Sequence, residues 1–92
     1  MKTLEQTTDL MLSQNYKERF VAEYWQTKIR YEKLKRFNNI IEASNHTCSA
    51  EPEHDCPYHL LREQQEAMGK YLHILEVRAI IEKIDLTEVQ NG

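Results

Sequence analysis

The sequence predicts an all-α protein: an antiparallel helical hairpin of two long helices with a short N-terminal helix, assembled as a homo-oligomer. Three observations carry this expectation. A chain of 92 residues with two Gly and two Pro holds few turn formers, which favours long helices over a many-stranded sheet. Tyr16–Ile41, YKERFVAEYWQTKIRYEKLKRFNNII, contains neither Gly nor Pro and supports one helix of about seven turns. Both prolines, Pro52 and Pro57, fall in the polar stretch Ser44–Pro57, which separates that helix from a second periodic segment. A single domain this short buries only a modest core, so self-association is expected from length as well.

Residues 1–14 read as a short helical preface, with Thr3 and Gln6 spaced for a capping box and Leu4, Leu10, Met11 and Leu12 as an apolar patch. The long helix is expected over 15–43, capped by Ser13 or by Asn15 with Glu18 three residues on. Phe20, Tyr24, Thr27, Tyr31, Leu34, Asn38 and Ile41 follow 4,3 spacing and form the seam for a partner helix. Val21, Trp25 and Ile29 lie about 100–180° around the helix from that seam, beyond the reach of one hairpin partner.

The loop is expected over 44–56 and the second helix over 57–85, with Asp55 or Cys56 as N-cap and Pro57 at the first helical position. Gly69 within it costs about 1 kcal/mol relative to Ala. Two adjacent heptad rows run along this helix. One is Leu60, Gln64, Ala67, Tyr71, Ile74, Arg78 and Ile81; the other is Leu61, Gln65, Met68, Leu72, Leu75 and Ala79. Their combined arc exceeds a two-helix seam, so both helices keep apolar surface for a further partner, most simply another copy of the chain. The tail from Asp85 to Gly92 is expected to fray.

No apolar run approaches the roughly 18 residues of a membrane span, and the N-terminus lacks the uninterrupted core of a signal peptide, which predicts a cytoplasmic protein. Cys48 and Cys56 are then thiols or metal ligands rather than a disulfide. With His46, His54 and His59 they supply five potential zinc ligands, but their spacing follows no zinc pattern, and a solvated loop is the expected state. No phosphate-binding glycine loop, nucleophile elbow or HExxH motif is present, so no catalytic site and no cofactor are predicted.

Charge is unevenly distributed. Lys17–Arg36 holds seven Lys/Arg against three Glu, +4 in a chain of net charge −3, leaving −7 elsewhere. Lys28, Arg30, Lys33, Lys35 and Arg36 lie among Tyr16, Trp25 and Tyr31, a composition suited to phosphate contact and base stacking. The competing reading pairs these cations with Glu32 and with Glu63, Glu66, Glu76 and Glu82 of the second helix. Duplex DNA is disfavoured by the net negative charge. Arg78 occupies a seam position opposite Glu23. It serves either a register-fixing Glu23–Arg78 pair or an anionic ligand at an oligomer interface.

The pattern YKER-x₃-E-x₉-K-L-x₂-F, followed by CP-x₂-LL-x₂-Q-x₂-AM-x₂-YL-x₂-LE-x-RA-x-IE, resembles the phage anti-CBASS cyclic-nucleotide sponges, whose helical-hairpin domain is shared with an anti-Thoeris sponge. The resemblance spans about residues 16–86. It implies a homo-oligomer, hexameric in that family, which sequesters cyclic di- or trinucleotide second messengers without cleaving them and so evades host immunity. It further implies Tyr16 as the base-stacking residue. Arg30 or Lys33, with Lys28 and Arg19, would hold phosphate from the long helix, and Arg78 would do so from the second. A protein-interaction module that binds a host protein through its apolar faces is the alternative.

Overall fold

The computed structural model describes residue 4 and residues 15–87. Two helices dominate, α1 over Tyr16–Thr47 and α2 over Tyr58–Glu82. Asn15 caps α1 as expected: its backbone is extended, and its Oδ1 accepts from the amides of Lys17 at 2.8 Å and Glu18 at 3.3 Å. The helix continues four residues past the expected end at 43. Ser44 Oγ donates to the Ile40 carbonyl at 2.8 Å and Thr47 Oγ1 to that of Ala43 at 3.0 Å, which absorbs these polar side chains into the helix, while both prolines lie beyond. Cys48 then adopts a left-handed conformation (φ 57°), and the amides of Cys48 and Ser49 close on the Ser44 carbonyl.

The start of α2 differs from expectation. Neither Asp55 nor Cys56 caps it. Pro57 itself is the cap residue, with ψ 144° keeping it outside the helix, and its carbonyl accepts from Leu60 at 3.1 Å and Leu61 at 3.2 Å. The other end stops three residues short of 85. Lys83 turns left-handed (φ 59°), and the Ile84 amide reaches back to the Ala79 carbonyl at 2.8 Å.

The helices run antiparallel, as shown by contacts of Tyr16 with Glu82, Tyr24 with Glu76, and Asn38 with Leu61. Phe20, Val21, Tyr24, Leu72, Leu75, Ala79 and Ile84 form the core. The α1 stripe faces α2 as its spacing predicts. Of the two α2 rows, the Leu61–Ala79 row makes the seam, and the Leu60–Ile81 row is exposed, with Tyr71 and Arg78 reaching back to Glu23 and Tyr16 of α1. Ile74 is 53 %, Ile81 72 % and neighbouring Ile80 78 % exposed, so a long apolar strip of α2 is left uncovered. Within the seam, fully buried Asn38 donates from Nδ2 to the Leu61 carbonyl at 3.2 Å and to Gln65 Oε1 at 2.9 Å, a polar pin between the helices. Gly69 lets α2 approach Tyr31 closely, since a Cβ there would lie 3.3 Å from the ring.

Two expectations are corrected at the opposite end. Val21 and Trp25 do not await another copy of the chain. The segment after α2 covers them, with Ile84 buried in the core, Leu86 packed beside it and Trp25 Nε1 donating to the Leu86 carbonyl at 2.7 Å. The beginning of the tail is therefore anchored through Ile84 and Leu86, while exposed Asp85 accepts through Oδ1 from the amide and hydroxyl of Thr87. The short helix expected within residues 1–14 lies outside the described residues apart from residue 4.

Tyr24 links the core to the polar flank, its hydroxyl donating to Glu76 Oε2 at 2.7 Å. Burial, and then the bond to the Glu76 carboxylate, push this phenol far above its ordinary value. The associated stability is complete below about pH 10 and is lost as pH rises toward the folded-state pKa, because the unfolded chain ionises first. Tyr24→Phe is expected to cost about 1 kcal/mol at neutral pH and to flatten the decline above pH 10 in urea denaturation.

Candidate functional site

At the open end of the hairpin, the first turn of α1 meets the last turns of α2. Tyr16 and Phe20 lie four residues apart on one face of α1, and Arg78 and Glu82 have the same spacing on α2. The Tyr16 hydroxyl donates to Glu82 Oε1 at 2.9 Å and accepts from Arg78 Nη2, while Arg78 Nε donates to Glu82 Oε2 at 3.0 Å. The guanidinium carbon stands 4.9 Å from the Phe20 ring centroid, and the Tyr16 ring meets Phe20 edge-on at 6.1 Å. The result is a cation, a tyrosine and a carboxylate held together at the surface, with Tyr16 48 % exposed.

The electrostatics follow from these bonds. Donation from Tyr16, then from Arg78, holds the Glu82 carboxyl below the usual carboxylate range. The Tyr16–Glu82 bond raises the Tyr16 phenol, and the separate Arg78–Glu82 bond is the chief cause of the raised Arg78 value. A planar arginine beside an accessible aromatic ring suits a ligand that combines phosphate with a stacking base.

Of the two readings of Arg78, the Glu23–Arg78 pair does not form. Glu82 lies one turn away on Arg78's own helix and takes the guanidinium, while Glu23 Oε1 accepts from the Tyr71 hydroxyl at 3.3 Å. Glu82 and Phe20 are thus site residues whose sequence positions point elsewhere, to the acidic face and to the seam. The signal for Glu82 was its i,i+4 spacing from Arg78.

The remaining candidates are dispersed along α1. Arg19 is exposed one turn after Tyr16. Lys28 pairs with Glu32 at 3.5 Å and lies about 18 Å along the helix from Tyr16, at 1.5 Å per residue. Arg30 and Lys33 are exposed about 21 and 26 Å along on the same rise. One copy of the chain therefore does not bring Tyr16 and these three cations around one small ligand. Lys28 lines a cleft with Tyr31, Gly69, Leu72, His73 and Glu76, but at about 170 Å³ it falls below the size range of pockets that enclose drug-sized ligands.

The His/Cys candidates do not converge either. Among the described residues, no three His, Cys, Asp or Glu side chains are grouped to hold a metal ion. His46 and Cys48 are exposed at the end of α1, and Cys56 and His59 are exposed at the start of α2. His54 is half-buried edge-on to Phe37 at 6.0 Å, its Nδ1 donating to the Cys56 carbonyl at 2.7 Å and its Nε2 3.6 Å from Glu51.

Fold and site together define a small helical-hairpin protein with an arginine–tyrosine cluster at its open end, suited to ligand binding. No described helix is long and apolar enough to cross a membrane. The family model described as Sequestin matches residues 14–81, about three quarters of the sequence, and the chain belongs to the Sequestin family. This agrees at family level with the resemblance to phage sponge proteins, and it indicates a sequestering role. Neither the curated proteins nor the solved structures contain a match.

Proposed function

We propose that this protein is a phage immune-evasion factor that binds and sequesters cyclic di- or trinucleotide second messengers in the bacterial cytoplasm, without cleaving them. The observation that carries this reading is the exposed pair Tyr16 and Arg78, backed by the buried ring of Phe20, which offers a stacking surface and a guanidinium for phosphate at one end of the hairpin. Sequestration needs no bond-breaking machinery, only affinity and abundance. Free messenger falls as it is bound, and the immune effector stays off.

On this reading the protein acts as a homo-oligomer, a hexamer by the family resemblance. The exposed strip Leu60, Ile74, Val77, Ile80 and Ile81 supplies the apolar surface for assembly. Arg30, Lys33 and Lys28 then contribute where copies meet, since within one copy they stand too far from Tyr16 to share its ligand.

The test is isothermal titration of the purified protein with a panel of cyclic di- and trinucleotides, extended to cyclic ADP-ribose as a one-base pyrophosphate ring. Micromolar or tighter binding to a cyclic di- or trinucleotide is expected. Binding to cyclic ADP-ribose alone would replace the ligand class, and silence across the panel would sink the reading. The same apolar strip also suits a host protein. Light scattering separates the two: a homo-oligomer is expected, whereas a monomer would favour the host-protein module.

A further inference from the structure

Glu82 is an unexpected resident of the proposed site. A phosphate-binding arginine gains most when its donors are free for the ligand, yet here two Arg78 donors are engaged, Nε by Glu82 and Nη2 by Tyr16. The Glu82 carboxylate also accepts from Tyr16, so its two oxygens span the hydroxyl and the guanidinium as two oxygens of a phosphate would. Its backbone is fixed from below. Lys83 ends the helix left-handed, and Ile84 is anchored in the core with its amide on the Ala79 carbonyl. The side chain, by contrast, is half-exposed and held only by its two bonds to Tyr16 and Arg78, so rotation about its own bonds needs no movement of the helix.

We infer that Glu82 is a built-in anionic placeholder, a specificity-determining residue that occupies the Arg78–Tyr16 site in the free protein and is displaced by side-chain rotation when a ligand phosphate enters. This rests on the nucleotide-binding reading for the identity of the ligand, though not for the competition between anions. The placeholder keeps Arg78 from ordinary monovalent anions. Only a ligand that adds stacking on Tyr16 or a second phosphate contact outweighs the internal carboxylate.

The experiment compares wild type with Glu82→Gln, which keeps the hydrogen-bond acceptor for Tyr16 and removes the charge. Glu63→Gln, on the exposed face of α2 away from the cluster, controls for a general change in net charge. Each protein is titrated with inorganic pyrophosphate and with the nucleotide panel, and Arg78 Nε–H is followed by NMR. Glu82→Gln is expected to bind pyrophosphate and any bound nucleotide about three- to tenfold more tightly than wild type, with Glu63→Gln within twofold. The Arg78 Nε–H signal should shift on adding pyrophosphate. Equal or weaker binding by Glu82→Gln, or an Arg78 signal that ignores pyrophosphate in both proteins, overturns the placeholder. Tighter pyrophosphate binding by Glu82→Gln with no nucleotide bound by either protein upholds the placeholder and removes the nucleotide reading.

Discussion

Ile84→Ala is expected to destabilise the protein by about 2–4 kcal/mol, although position 84 lies beyond the last turn of α2. The side chain is 8 % exposed and belongs to the same apolar cluster as Phe20, Val21, Tyr24, Leu72, Leu75 and Ala79. Its removal deletes three carbons from a core with little room to collapse, because helix packing fixes the other members. In a chain of 92 residues this corresponds to a fall in melting temperature of roughly 10 °C or more. Trp25, the one tryptophan, reports the local event: its indole donates to the Leu86 carbonyl, so its emission should shift to the red as the segment detaches. A change below about 0.5 kcal/mol, the size of an ordinary surface substitution, would show that the segment merely rests on the hairpin.

Removing either recognition group is expected to weaken nucleotide binding strongly while leaving the hairpin folded. For Arg78→Gln the expected loss is roughly tenfold to a hundredfold, as for a lost charge-assisted hydrogen bond to phosphate. Tyr16→Ala should abolish measurable binding, since it removes the stacking surface and the hydroxyl that orients Arg78. Both residues are exposed at the end of the hairpin, and Asn15 caps α1 independently of them, so far-ultraviolet circular dichroism should be unchanged. Loss of helicity in Tyr16→Ala would assign the ring to packing on Phe20 instead. Retained affinity in Arg78→Gln would move the phosphate contact to another cation, with Arg19 one turn from Tyr16 the first to examine.

Much of the architecture is legible in local patterns. The α1 cap needs only Asn15 and its downstream amides, and the α1 seam needs only 4,3 spacing from Phe20 to Ile41. Helix ends were less legible. Ser44 and Thr47 are loop formers by type, yet each gives its hydroxyl to the carbonyl four residues back and extends the helix. The choice between the two α2 rows was open as well, since both are apolar and the rotation of α2 is set by what Phe20, Tyr24 and Asn38 accept across the seam.

The candidate site divides in the same way. Tyr16 and Arg78 were named from the sequence, and both stand in the cluster at the open end. Lys28, Arg30 and Lys33 were named with them, but helical rise alone separates them from Tyr16 by about 18–26 Å.

By itself, the sequence determined the all-helical class, the break between the helices, the seam of α1 and the concentration of cations and aromatic rings on that helix. These follow from periodicity and composition, which act over a few residues. Only the tertiary structure decided that Tyr16 closes on Arg78 and Glu82, that Ile84 and Leu86 cover Val21 and Trp25, and that the apolar residues of the Leu60–Ile81 row of α2 stay exposed. Each depends on residues up to 66 positions apart, as in the Tyr16–Glu82 bond, and on helix rotation and the path of the chain after its last turn. No local pattern encodes those quantities, because they are settled by which packing buries the most apolar surface.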